Sequence, residues 1–199
     1  MSGVVVGFYG KVPARGDFVR DGLPRDFIDP WDRWLQSVMA GSRASMGEAW
    51  LPAFLEAPVW RFRLPRGMCG ERAALGLMLP SVDKAGRYFP LTFAALRADD
   101  IGVADEAWLD RCEAAGRAAL EKDSSPQEIS AMLDTPDLTD GTADPREAVW
   151  WSDGSARIEP ARLVLSGLPD AATYAAMLGA AEDKDAVAAA GETKWESTP

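Results

Sequence analysis

Short apolar runs and polar turns alternate along the chain, and their spacing predicts most of its elements. Val4-Val5-Val6-Gly7-Phe8-Tyr9 is β-branched or aromatic throughout and predicts a strand buried on both faces. Residues 10–19, broken by Gly10, Pro13 and Gly16, predict a loop. From Asp29-Pro30 the period changes. Asp29 suits an N-cap and Pro30 the first helical position, and Trp31, Trp34, Leu35, Val38 and Met39 then recur at helical spacing, which predicts an amphipathic helix to about Ser45. A second, short helix over 48–55 ends before Pro58.

Residues 59–64 alternate, with Trp60, Phe62 and Leu64 on one face and Val59, Arg61 and Arg63 on the other, as in a half-buried strand. The runs 72–79 and 89–96 are nearly all apolar, and three strands with short links predict an antiparallel meander, joined by the first strand through a crossover. Helical spacing returns over 105–123, with Trp108, Leu109, Cys112, Gly116, Ala119 and Leu120 on one side. Ser125-Pro126-Gln127-Glu128 has the spacing of a capping box and opens a short helix to 133. After a loop over 134–145, residues 147–151 predict a strand. It could return through the Asp153-Gly154 turn as 155–158, though 162–165 is the stronger returning strand. Asp170 caps a last helix over 171–181. A single domain is therefore expected over 1–181, with a flexible tail over 182–199.

Charge alters this picture more than size does. The 199 residues carry a net charge of −10, but unevenly: residues 1–97 hold 13 Lys and Arg against 9 Asp and Glu, and residues 98–199 hold 8 against 22. So acidic a protein repels nucleic acid and anionic lipid. Its basic half suits an acidic protein partner, or the acidic half of its own fold. No run approaches the roughly 20 apolar residues of a membrane span, and the first ten residues lack a secretory signature, so a cytoplasmic location without membrane insertion is expected. There is no histidine, which removes Ser-His-Asp and Cys-His machinery, and two cysteines make neither a disulfide framework nor a common zinc site. Chemistry built on Mg²⁺ and carboxylates remains conceivable through Asp17, Asp83 or Asp99-Asp100, as a phosphoryl-transfer or hydrolytic alternative, although these acids have no diagnostic ligand spacing. Gly10-Lys11 is not a phosphate loop, because the rest of that motif is missing.

The candidate chemistry gathers instead on two loops. Pro80-Ser81-Val82-Asp83-Lys84-Ala85-Gly86-Arg87-Tyr88 turns the chain between two apolar strands, and Lys11 to Asp17 leaves the first strand. If the strands share a sheet, both loops meet at one edge. Lys11, Arg15, Asp17, Asp83, Arg87 and Tyr88 would then form a charged recognition surface, with Tyr9 or Tyr88 as aromatic anchor. The alternative is that Arg15, Asp17, Asp83 and Arg87 pair internally and only fix the loops.

Taken together, Gly7 to Val19, Gly22-Leu23-Pro24, Trp31-Asp32, Trp34-Leu35, Ser42-Arg43, Ala57-Pro58-Val59-Trp60-Arg61-Phe62 and Pro80 to Leu91 resemble, in order, the motifs of the TagF/ImpM family of type VI secretion accessory proteins. A weaker likeness continues through Trp150-Trp151 and Gly167-Leu168-Pro169. The resemblance implies an α/β fold, a three-layer α-β-α sandwich with a mixed, largely antiparallel sheet. It implies a non-catalytic cytoplasmic protein that regulates the secretion machine after translation, generally as a repressor, through binding to its FHA-domain scaffold. It brings no catalytic residues, cofactor or metal, and leaves the oligomeric state open.

Overall fold

The computed structural model describes residues 3–141 and 147–179, and the backbone of 194–196. One sheet runs through it, with strand order β2-β1-β5-β4-β3-β6-β7-β8. Its strands are β1 (Val5–Gly10), β2 (Val19–Asp21), β3 (Trp60–Leu64), β4 (Ala73–Leu79), β5 (Leu91–Arg97), β6 (Ala148–Ser152), β7 (Ala161–Leu165) and β8 (Lys194–Glu196). The helices are α1 (Arg25–Met46), α2 (Trp50–Leu55), α3 (Glu106–Glu121), α4 (Pro126–Ala131) and α5 (Ala171–Met177). One face of the sheet packs against α1, α2 and α5 and the other against α3 and α4, which gives the three layers of an α-β-α sandwich. Among the described residues each strand pair is antiparallel, in keeping with the largely antiparallel sheet expected.

The predicted meander is β3-β4-β5. Its two later strands carry apolar residues on both faces because helices cover both: Ala74, Met78, Ala94 and Leu96 enter the α1 core, while Leu75, Leu77, Leu79 and Phe93 enter the α3 core. β1 joins beside β5 with Phe8 opposite Phe93, and the chain crosses back through α1 and α2 to β3. The stronger returning strand is the one used, as β7 pairs with β6 with Trp150 opposite Leu163.

Two local expectations are corrected. Helix α1 begins at Arg25, so Pro30 lies inside it and not at its first position. Phe27 and Ile28 are buried in the same core as Trp31. Burying such side chains gains about 2 kcal/mol each, which offsets the one backbone bond that Pro30 cannot make. Second, the loop predicted over 10–19 runs at its last residue, Val19, into the short strand β2, paired with β1 through Tyr9 and Arg20. The caps read at Ser125 and Asp170 form, accepting from the backbone N–H of Glu128 and Thr173, with Ser125 and Glu128 making the full capping box; Asp105 also caps α3, accepting from the N–H of Trp108. Most of the expected tail lies outside the described residues. Within it, the backbone of 194–196 pairs with β7.

The two halves of the charge distribution meet inside the fold. Arg61, on the α3 face of β3, points into the acidic first turns of α3 and binds Glu106 at 2.6 Å, Asp110 at 2.7 Å and Glu113 at 3.3 Å. Asp153 adds a fourth carboxylate at 3.7 Å. Arg61 is buried, so the strand face that alternation assigns to solvent is in fact an ionic layer between sheet and helix.

Candidate functional site

The loops after β1 and before β5 meet at one end of the sheet, because their strands are neighbours. Hydrogen bonds stitch them together: Lys84 N–H donates to the Arg15 carbonyl at 2.9 Å, and the Ser81 hydroxyl donates to the Lys11 carbonyl at 2.6 Å. A Val82–Tyr88 bridge closes the second loop, with Gly86 at φ 78° supplying the left-handed turn.

Asp83 is the hub of this arrangement. One carboxylate oxygen accepts the backbone N–H of Ala85 and of Arg87, each at 2.9 Å, and the other accepts Lys11 Nζ at 2.8 Å and Arg87 Nε at 2.7 Å. Its side chain is wholly withdrawn from solvent. Burial alone pushes its pKa up, but Lys11, the loop N–H groups and the Arg87 guanidinium outweigh this and hold it well below the usual carboxylate range. Both oxygens are occupied, so Asp83 is not free to ligate a cation. Among the described residues no group of three or more acids, cysteines or histidines is arranged to hold a metal.

The six residues singled out from the sequence thus divide. Lys11 and Asp83 are buried and fasten the loops, whereas Arg15, Asp17 and Arg87 are exposed on the rim above them, and Arg87 also reaches back to the Gly16 carbonyl. Tyr88 is half-buried and meets Phe54 edge-on at 6.1 Å. Tyr9 turns inward: its hydroxyl donates to Asp32 at 2.6 Å, and burial, with that bond, pushes its pKa up. The exposed aromatic of the rim is a residue that the sequence reading did not weigh, Phe18. It is 42% exposed, stacks on Tyr9 at 5.4 Å, meets Phe89 edge-on at 4.8 Å and lies 5.0 Å from Lys11 Nζ. An aromatic that breaks a polar loop next to a strand was the signal available for it.

One buried carboxylate thus holds two cations, and the cluster keeps a net positive charge under an exposed Arg15 and Lys84. The strands of the α-β-α sandwich thus hold both loops, and the charged side chains they carry, at one end of the sheet. The TagF N-terminal domain, described as type VI secretion system-associated, matches residues 7–135, and the chain belongs to this family. PA0076 from Pseudomonas aeruginosa PAO1, known from a crystal structure, is 34% identical to it with a TM-score of 0.77, over 87% of this chain and 93% of that one. No curated protein matches the chain. The likeness read from the sequence motifs is therefore confirmed, and the chain is a type VI secretion-associated protein. No helix among the described residues is long and apolar enough to cross a membrane.

Proposed function

We propose that this protein is a non-catalytic cytoplasmic regulator of type VI secretion, generally a repressor, and that it acts by binding the FHA-domain scaffold of the same system through the rim of its two loops. The observation that carries this reading is the rim itself. Arg15, Lys84, Arg87 and the ring of Phe18 stand exposed on loops that are locked from below by Lys11 and Asp83. A preorganised loop loses little conformational entropy on binding, and Arg and aromatic side chains are the types that dominate protein interfaces.

The test is calorimetric titration of the purified protein with the FHA-domain scaffold of the same organism, beside an Arg15→Ala, Arg87→Ala double variant shown to be folded by circular dichroism. Tight wild-type binding that is lost in the double variant supports the rim as the recognition surface. Equal binding by both moves the surface elsewhere, and no binding by the wild type removes the scaffold as partner.

A further inference from the structure

A cleft of about 550 Å³ opens on the α3 face of the sheet, away from the two loops, between the approach to α3 and strands β6 and β7. That volume falls in the range of small-molecule sites. Its floor is set by strand register: Arg63 lies opposite Val149, and Trp151 opposite Arg162, so two cationic and two apolar side chains share one face. Gly102 and Ala104 form the near wall.

Arg63 distinguishes this cleft from an ordinary surface hollow. It is half-buried, and among the described residues its guanidinium donates to the carbonyls of Ile101 and Gly102 and forms no ion pair with a carboxylate. Buried charges are normally paired. Its neighbour Arg61, two residues away on the same strand, engages four carboxylates, including Glu106 and Asp153 from the wall of this cleft. Burial and then the field of Arg162 lower the pKa of Arg63, against a smaller opposing influence of Glu147. A guanidinium fixed by two carbonyls keeps outward N–H groups in the planar fork that suits a carboxylate or phosphate.

We propose that this cleft binds a small organic anion, with its acidic group on Arg63 and its apolar body against Trp151 and Val149. The site is separate from the loop rim, and its occupancy is independent of the partner proposed for that rim.

The test uses 8-anilinonaphthalene-1-sulfonate, an aromatic anion that fluoresces when bound, titrated into the full chain at fixed ionic strength. The expected result is one saturable site. Phenyl phosphate or benzoate should displace the dye, and neutral benzamide should not; whichever acid competes better identifies the acidic group. Arg63→Met should weaken binding at least tenfold, while Arg87→Ala, on the rim, leaves it unchanged. Absence of saturable binding overturns the proposal, as does binding that neither acid displaces or that Arg63→Met does not weaken. If Arg63→Met does not fold, the competition on the wild-type protein decides alone.

Discussion

Lys11 Nζ stands 2.8 Å from Asp83 Oδ2 although 72 residues separate them, and neither side chain is appreciably exposed. The pair binds the loop leaving β1 to the loop entering β5, and Arg87 closes the same carboxylate from the solvent side. A buried pair of this kind contributes less by its own attraction than by what its loss leaves behind, an ammonium with neither water nor a counter-charge. With four donors on its two oxygens, Asp83 fastens the two loops to each other.

Asp83→Asn should therefore be the most destabilising of the rim substitutions. The amide keeps the shape but cannot neutralise Lys11. Arg87→Ala removes a cation whose side chain is 57% exposed and should cost no more than about 1 kcal/mol. Urea denaturation of the two variants beside the wild type compares them. Equal midpoints for Asp83→Asn and the wild type would show that the pair does not lock the loops.

The same carboxylate predicts an acid limb. Its folded pKa is depressed below the unfolded value, so its contribution to stability is fully present above the unfolded pKa of about 4 and is lost as pH falls from there toward the folded value. Asp105 and Glu128, also lowered, act in the same direction: backbone N–H groups of Asp137 and Trp108 outweigh burial at Asp105, and the Ser125 backbone and hydroxyl stabilise the Glu128 charge. Thermal midpoints measured between pH 7 and pH 3 should fall mainly below pH 4 to 5, and less steeply in Asp83→Asn. A variant that parallels the wild type would assign the acid limb to other groups.

Arg61 should be costlier to remove than any one of its partners. Its side chain is 8% exposed, while those of Glu106, Asp110 and Asp153 are at least half exposed. Each of these acids can turn to water when unpaired, but losing the arginine leaves four carboxylates facing one another over a gap in the sheet–helix layer. Arg61→Ala is expected to cost roughly 2 to 4 kcal/mol, below or near the usual figure for breaking a buried pair, and Asp110→Ala less than about 1 kcal/mol. Chemical denaturation at two salt concentrations measures both, and a smaller loss for Arg61→Ala than for Asp110→Ala would refute the layer.

What the sequence made legible follows from how local each signal is. The stripe Trp31, Leu35, Val38 marks α1, and the capping box at Ser125 marks α4, because both are patterns within one or two turns. The start of α1 was misplaced because Asp29-Pro30 is a good local cap, whereas the burial of Phe27 and Ile28 that overrides it is tertiary. β2 was missed since three residues in a glycine-rich loop carry no period. Arg61 and Arg63 occupy alternate strand positions that read as solvent-facing. The acids of α3 lie 45 to 52 residues further on, so nothing near Arg61 announces them. The two loops were found as candidates, but how Asp83 divides them into buried clasp and exposed rim depends on register between β1 and β5.

Two glycines separate the stability of the fold from the conformation of the rim. At Gly76, in the middle of β4, a Cβ would stand 2.2 Å from the Phe93 carbonyl oxygen and 2.6 Å from the Phe62 ring, both held in the sheet core. Neither can yield without moving a strand, so Gly76→Ala should cost about 3 kcal/mol or more, or abolish folding. At Gly86 a Cβ meets nothing within 4 Å, and only its φ of +78° resists substitution. Gly86→Ala should therefore cost about 1 to 2 kcal/mol of backbone strain and leave the fold intact, with the effect confined to the loop that carries Arg87. Circular dichroism and urea midpoints of the two variants measure the difference. If Gly86→Ala proved as damaging as Gly76→Ala, the rim loop would be part of the folding core and not a surface built on it.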